Sequence, residues 1–432
     1  MQKRSHWWIT TAVIVAAAVA GTTGVAVWQA TTKEHVVVAD GQPLQPATVG
    51  IVPVTGTTPV DEAALAAHLD ELADNKDLGE LAGEVIDTTT GATIWQRNAN
   101  TAVRPASTTK ILTSAAALLT QDPEQVLTTT VYRDPNQDGT IIIKAAGDVM
   151  MSQEQINQLA EQITASGTPV KTVLIDTSVW QGEDFLDDWD RENIGAGFIA
   201  PMQPAMIRGA RIGGTTGDLP RSSTPALDVA HALATALGTE SFGFGTLPKD
   251  APEDTIIATV DSQPLLDRLR ELMLDSDNVM AEAEGRNIAV VTGAEPTIAG
   301  GAQATLNTLA GHGFDINGVT LVDNSGLSDN DQIPPRLLTA ILQRAATDHQ
   351  LRPLLDVLPV AGATGTLTNR FTDLNGRGWA RGKTGTLTTT SALAGVITSE
   401  QGHVYSYAFI SNDSSILPAR KALDELVSGL RN

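Results

Sequence analysis

Ser107-Thr108-Thr109-Lys110 sets a hydroxyl and an amine three residues apart at the mouth of an apolar run. At that spacing on a helix two side chains stand one turn above each other on the same face, so the Lys110 amine reaches the Ser107 hydroxyl. A base within hydrogen-bonding reach is what turns an ordinary serine into a nucleophile. Lys110 must be neutral to serve as that base, and burial and the positive end of a helix dipole both favour the neutral form. The same residues also fit a helix N-cap serine followed by a surface lysine. A chain of 432 residues contains about one such spacing by chance, so its companions decide the reading.

Two further motifs accompany it. Lys383-Thr384-Gly385, followed by Thr386, lies in a strand-like stretch near the C-terminus; chance supplies such a triplet in only about a tenth of chains this long. Ser276-Asp277-Asn278 is the other, and the tripeptide recurs as Ser328-Asp329-Asn330. The first copy interrupts a helical stretch, 265–273 before it and 279–287 after it, which would hold its side chains rigidly. The second copy sits in a turn-rich segment beginning Asp323-Asn324-Ser325-Gly326. Ser276 is therefore the preferred member. Ser-x-x-Lys, Ser-Asp-Asn and Lys-Thr-Gly together are the signature of penicillin-binding proteins and class A β-lactamases.

The elements that must position these residues are legible as periodicities. A helix starting near Asp61 carries Ala64, Leu65, His68, Leu69 and Leu72 on one side, and strands at 81–87 and 92–96 flank Thr88-Thr89-Thr90-Gly91 as a hairpin leading to Ser107. The Ser107 helix continues through Ile111, Leu112, Ala115, Leu118 and Leu119. Strands at 126–132 and 140–144 then flank Asp134-Pro135-Asn136-Gln137-Asp138-Gly139. That run resembles the opening of a calcium loop, but Ala145 stands where a bidentate Glu is needed, so a hairpin turn is the better reading. A helix at 153–166 and a strand at 172–176 make the middle mixed α/β. Helical patterns return at 227–237 and 264–287, strands at 379–387, 391–398 and 404–411, and a closing helix at 417–430. Helices and antiparallel strands thus occupy both ends of the chain around a distinct middle, an α/β molecule of α+β type. The expected division is a catalytic domain from 61–120 and 266–432, with an inserted domain at 121–265.

Composition narrows the partners. The 42% hydrophobic content and the length suit a globular protein of two or more domains. A net charge of -22 argues against nucleic acid or an anionic membrane surface, which require a basic patch. There are no cysteines, which excludes disulfides and thiolate metal sites. The seven histidines form no His-Glu-x-x-His, and His312 stands alone between two glycines, so no metal site is expected. Gly243-Phe244-Gly245 lacks the third glycine of a dinucleotide loop and reads as a turn or strand.

At the N-terminus Lys3 and Arg4 precede residues 7–28, a run without a charged side chain. As a helix it would be ~33 Å long, enough to cross a bilayer. Ala18-Val19-Ala20 offers a cleavage site, whereas the continuation to Trp28 favours an uncleaved anchor. Residues 1–30 are thus a signal peptide or an anchor, and both place the remainder outside the cytoplasm. Residues 31–60, with Pro43, Pro46, Pro53 and Pro59, read as a linker.

On these motifs the chain resembles the D-alanyl-D-alanine carboxypeptidase/endopeptidase family of low-molecular-mass penicillin-binding proteins, of the class C type with an inserted region. The likeness runs from about 81 to 413, through Arg104-Pro105-Ala106-Ser107-Thr108-Thr109-Lys110, Ala146-Gly147-Asp148, Ser276-Asp277-Asn278-Val279-Met280-Ala281-Glu282, Asp323-Asn324-Ser325-Gly326-Leu327-Ser328 and Gly382-Lys383-Thr384-Gly385-Thr386. The resemblance implies a penicillin-binding, β-lactamase-like transpeptidase fold and an exported enzyme of the cell envelope that needs no cofactor. By the same resemblance, Ser107 attacks the carbonyl between two D-alanines of a peptidoglycan stem peptide, and Lys110 takes its proton. The N–H groups of Ser107 and Thr386 hold the oxyanion, with Gly385 allowing close approach of substrate. Ser276 relays a proton to the departing amine, Asn278 binds a substrate amide, and Lys383 with Thr384 fixes the terminal carboxylate. Lys383 would also help keep Lys110 neutral. β-Lactam antibiotics would be covalent inhibitors, and membrane contact would be confined to the N-terminal segment.

One departure is the insert, which is short for the two extra domains common in such proteins. In relatives it helps receive the stem-peptide side chain. Here Asp187-Asp188-Trp189-Asp190 could bind a cationic amino end, or could be a solvated acidic loop. Two other readings compete: a β-lactamase-like serine hydrolase, although a class A enzyme would lack the large insert, and a catalytically silent wall-binding scaffold, against which the intact motif set argues.

Overall fold

A computed structural model of the chain describes residues 59–431. The proposed signal or anchor at 1–30 and nearly all of the 31–60 linker lie outside the described residues. Among the described residues no helix is long and apolar enough to cross a membrane.

Asp61 caps the first helix of the described residues, Glu62–Ala73, its carboxylate accepting the Ala64 N–H at 3.0 Å. β1 (Glu80–Asp87) and β2 (Thr93–Arg97) follow as an antiparallel hairpin. The Asp87 carboxylate takes the Thr89 and Thr90 N–H groups in the turn between them. The chain next makes the Ser107 turn and the Lys110–Thr120 helix. It then enters a second sheet built from β3 (Thr128–Arg133), β4 (Thr140–Lys144), β6 (Thr172–Asp176), β8 (Ser241–Phe244) and β9 (Ile256–Asp261), while β5 (Asp148–Met151) pairs with β7 (Ala205–Ile207). Helices Leu265–Asp275 and Asn278–Thr292 return it to the first sheet, which β10 (Ala380–Leu387), β11 (Thr390–Thr398) and β12 (Val404–Asn412) complete before the closing helix Ile416–Gly429.

The first sheet has the order β10-β11-β12-β1-β2, with every neighbouring pair antiparallel. Strand alternation sorts its side chains by size. Leu393, Ile397, Tyr405, Tyr407 and Phe409 face the Glu62–Ala73 and Ile416–Gly429 helices. Ala392, Ala394, Val396, Ala408 and Ile410 join the opposite core with Ile111, Leu112 and Ala115 of the Lys110–Thr120 helix. Small residues on that second face let the turn that holds Ser107 seat close to β10 and β11.

The second sheet has the order β8-β6-β4-β3-β9, in which β4, β6 and β8 run parallel. Parallel neighbours need crossovers, and the helices Gln153–Ala165 and Pro225–Ala236 lie within them, packing Ile156, Leu159, Val229 and Leu233 over Ile141, Ile143, Val173 and Ile175. Asp134–Gly139 is the β3–β4 turn, closed by the Thr140 N–H on the Gln137 carbonyl at 3.1 Å. The Gly243-Phe244 segment is in the edge strand β8. The middle of the chain does not keep to this sheet, however. Trp180, Phe185, Trp189, Met202 and Met206 are buried in one core with Leu112, Met273 and Val279, so this stretch packs against the helices that carry Lys110 and Asn278.

Candidate active site

Ser107 sits in a 3-10 turn, Ala106–Thr109, ahead of the α-helix that Lys110 begins. In 3-10 geometry residues i and i+3 eclipse, and Lys110 Nζ lies 3.0 Å from Ser107 Oγ. Ser107 is half-buried and Lys110 fully buried. Two oxygens take the remaining reach of the amine: Asn278 Oδ1 and the Ser325 carbonyl, each at 2.6 Å. A neutral amine has two N–H donors and one lone pair. With both donors committed to carbonyl-type oxygens, the lone pair is left for the Ser107 hydroxyl.

The Ser325 carbonyl is held by a tightly wound loop. Asp323 Oδ1 accepts the Ser325 and Gly326 N–H groups, and Asp323 Oδ2 accepts the Ser328 N–H and the Trp189 indole N–H. Gly326 has φ +75°, and a Cβ there would lie 2.0 Å from the Ala106 carbonyl oxygen. Only glycine lets this loop close over the Ser107 turn. Gly385 serves the neighbouring contact: its Cβ would lie 2.6 Å from the Pro105 carbonyl oxygen. Its open face therefore admits the Ser107 turn, where the expectation was room for substrate.

Ser276 ends the Leu265–Asp275 helix in a left-handed conformation, φ 59°, and Asn278 begins the next helix. Asp277 caps that helix through the Met280 N–H at 3.0 Å, and its other oxygen takes Arg211 Nη2 at 2.6 Å and Arg221 Nη2 at 3.1 Å. Burial pushes the Asp277 pKa up, but Arg221 and Arg211 outweigh it and hold the carboxyl below its ordinary range. Arg221 also donates to the Gly197 and Gly209 carbonyls, and Asn278 Nδ2 donates to the Phe198 carbonyl at 2.9 Å. The Ser-Asp-Asn segment is thus fastened to the middle of the chain at three points. Arg211, Arg221 and Phe198 carry no sequence signal: two are isolated arginines and the third acts through its backbone.

Lys383 Nζ lies 2.8 Å from Ser276 Oγ and 2.8 Å from the Thr384 carbonyl oxygen, and Thr384 Oγ1 lies 2.9 Å from Thr366 Oγ1. The structure thus joins Ser107, Lys110 and Asn278 in one cluster and Ser276, Lys383 and Thr384 in a second. Ser328, by contrast, donates to Asp188, and Asn330 Nδ2 reaches the same carboxylate at 2.7 Å. Within the acidic run Asp187, Asp188 and Asp190 are all exposed, with Asp188 engaged by these partners, while Trp189 is buried on Asp323.

Burial lowers the Lys110 pKa to about 8, against the pull of Asp323, Glu282, Asp277 and Asp331. Lys383 is lowered well below its ordinary value, by burial and then by the Lys110 charge. The two buried amines disfavour each other's charge, while carboxylates surround Lys110. Burial and Asp323 in turn push Glu282 up to about 8.

Comparison with known proteins follows the same lines. Residues 65–229 and 209–430 match the D-Ala-D-Ala carboxypeptidase 3 (S13) family. Carboxypeptidase DacB of Mycolicibacterium smegmatis is 40% identical over 424 residues, covering 93% of this chain and 92% of that protein. A carboxypeptidase of Mycobacterium tuberculosis is 40% identical over 416 residues, covering 91% and 89%. The solved structure of penicillin binding protein 4 from Haemophilus influenzae shares the fold, with a TM-score of 0.69 at 21% identity, covering 87% of this chain and 100% of that one. The match along nearly the whole described length means that this chain belongs to the D-Ala-D-Ala carboxypeptidase 3 (S13) family of peptidases.

Proposed function

We propose that the chain is a serine D-Ala-D-Ala carboxypeptidase and/or endopeptidase that hydrolyses peptidoglycan stem peptides through an acyl-enzyme on Ser107. The observation that carries this reading is the buried Lys110 amine on Ser107 Oγ, with Asn278 and the Ser325 carbonyl holding its other sites. In the first step Lys110 takes the Ser107 proton and Oγ bonds to the scissile carbonyl carbon. The tetrahedral oxyanion is received by the Ser107 and Thr386 N–H groups. The C–N bond then breaks, and the proton that Lys110 took from Ser107 passes through Ser276, whose hydroxyl is bonded to Lys383, to the leaving D-alanine nitrogen, which leaves Lys110 neutral again. Water, deprotonated by the same base, attacks the ester and releases Ser107 with its proton restored. Asn278 orients a substrate amide, and Lys383, Thr384 and Thr386 surround the terminal carboxylate.

β-Lactams present a carbonyl to the same serine and are covalent inhibitors in this reading. The enzyme works outside the cytoplasm, and membrane contact is limited to the N-terminal segment. Residues 61–120 and 266–432 form the catalytic unit and 121–265 the insertion; the five strands drawn from 128–261 and their own apolar core support that division. Purified protein incubated with a pentapeptide ending in D-Ala-D-Ala and with a cross-linked muropeptide dimer tests the function. Loss of one alanine, or scission of the cross-link, is the expected mass change. Intact peptides alongside steady nitrocefin turnover would mark a β-lactamase-like hydrolase.

A further inference from the structure

We infer that Arg420, together with the hydroxyl of Thr386, is a specificity-determining residue that recognises the free carboxylate at the end of the substrate. The inference rests on the proposed peptidase function and deepens it. Lys383, the cation of the Lys-Thr-Gly motif, is buried, and its amine is occupied by Ser276 and by the Thr384 carbonyl. Held among these groups, and with burial and Lys110 both disfavouring its charge, it is poorly placed to be the sole counter-ion of a carboxylate.

On the other face of β10 the chemistry differs. Thr384 and Thr386 are two residues apart on a strand and therefore share a face, and each is only half-buried. Arg420, in the closing helix, places Nη2 2.8 Å from Thr386 Oγ1. Because the guanidinium can only donate, the Thr386 oxygen accepts this bond, and the hydroxyl proton is left to point at another acceptor. Thr366 adds its hydroxyl beside Thr384. The outer rim of the edge strand is thus a row of three hydroxyls ending in a guanidinium.

The charge on that guanidinium is available. Neighbouring Arg370 is consumed by Asp424, through Nη2 at 2.6 Å and Nε at 3.2 Å, and it also donates to the Arg420 carbonyl at 3.1 Å, fixing the backbone there. Among the described residues no carboxylate forms a direct ion pair with Arg420, which is half-exposed. In the proposed pose the scissile carbonyl oxygen lies at the Thr386 N–H, and only a nitrogen and an α-carbon separate that carbonyl from the terminal carboxylate. The carboxylate therefore falls beside the Thr386 side chain and within the field of Arg420. A fork of donors suits a planar carboxylate better than a point charge does.

The test compares two peptides ending in D-Ala-D-Ala, one with the free acid and one with a C-terminal methylamide, as the ratio of their kcat/KM values. In Arg420→Gln the ratio of acid to amide should fall by about 10- to 100-fold, mostly through KM on the acid, with any change in the amide rate smaller than that on the acid. Arg420→Lys, which keeps the charge and loses the fork, should lower the ratio by a smaller factor; it also serves where the Gln variant does not fold by circular dichroism. A wild-type ratio in either folded variant overturns the inference. A wild-type protein that cleaves neither peptide overturns the proposed function instead.

Discussion

At the scale of single residues, the site is built around an amine that burial shifts toward its neutral, proton-accepting form. Lys110 is chemically ordinary; its lowered pKa, about 8, comes from the loss of water and is moderated by four carboxylates. Since the neutral form is the active one, acylation should accelerate as pH rises through about 8 and then level off, read as the rate of covalent labelling by a fluorescent penicillin. A flat profile between about pH 6 and 9 would show that Lys110 is not the group that titrates. Lys110→Ala should slow labelling by about 10²- to 10⁴-fold, measured on protein shown by circular dichroism to be folded. The sequence makes Ser107, Lys110, Ser276, Asn278 and Lys383 visible because each belongs to a short motif. It hides Phe198 and Ser325, which act through carbonyl oxygens, and Arg211, Arg221 and Arg420, whose partners are distant in sequence.

At the scale of elements, the active site exists because three separate turns are pressed together. The Ser107 turn is clasped between the Asp323–Ser328 loop and β10, with Gly326 and Gly385 at the two contacts. Gly326→Ala adds a Cβ at a positive φ and onto the Ala106 carbonyl. It should cost about 2 kcal/mol or more in urea unfolding and slow acylation in the folded fraction; wild-type stability with wild-type acylation would show that the loop does not seat Ser107. Arg221→Ala leaves Asp277 buried with one of its two cations gone and should cost about 3 to 5 kcal/mol, again by urea unfolding. Acylation should slow with it, since Ser276 and Asn278 flank that carboxylate. Strand β4 at 140–144 and β6 at 172–176 were readable to the residue, being apolar runs between clear turns. The helix Ile298–Gly311 was not: its glycines and threonines are weak helix formers, and Ile298, Ala304 and Leu309 are held by tertiary packing against Ile288 and Ala289. Pro335, at the first position of the Pro335–Thr347 helix, was a start signal present in the sequence.

At the scale of the whole molecule, the catalytic core accepts a costly arrangement of acids. Glu282, pushed up to about 8, and Asp331, also raised, are both buried near Lys110. A carboxyl with a raised folded pKa holds its proton when folded and gives it up on unfolding. Its contribution is therefore fully present below the ordinary value of ~4.3 and is lost as pH rises through about 8. The wild-type melting temperature should fall across that window, and Glu282→Gln should flatten the fall; parallel curves for the two proteins would exclude Glu282 as its source. The terminal antiparallel sheet and the mixed α/β middle were legible in the strand and helix patterns, whereas β9 at 256–261 was not among the expected strands. The crossing of 177–210 into the catalytic core was not legible either, because Trp180, Phe185 and Trp189 have no periodicity and are placed by long-range packing alone. The central claim is that Ser107 is the residue acylated, and intact-protein mass after benzylpenicillin tests it most directly. The expected result is one adduct on the wild type, mapped to the peptide containing Ser107 and absent from a folded Ser107→Ala variant. An adduct that survives in Ser107→Ala would contradict it.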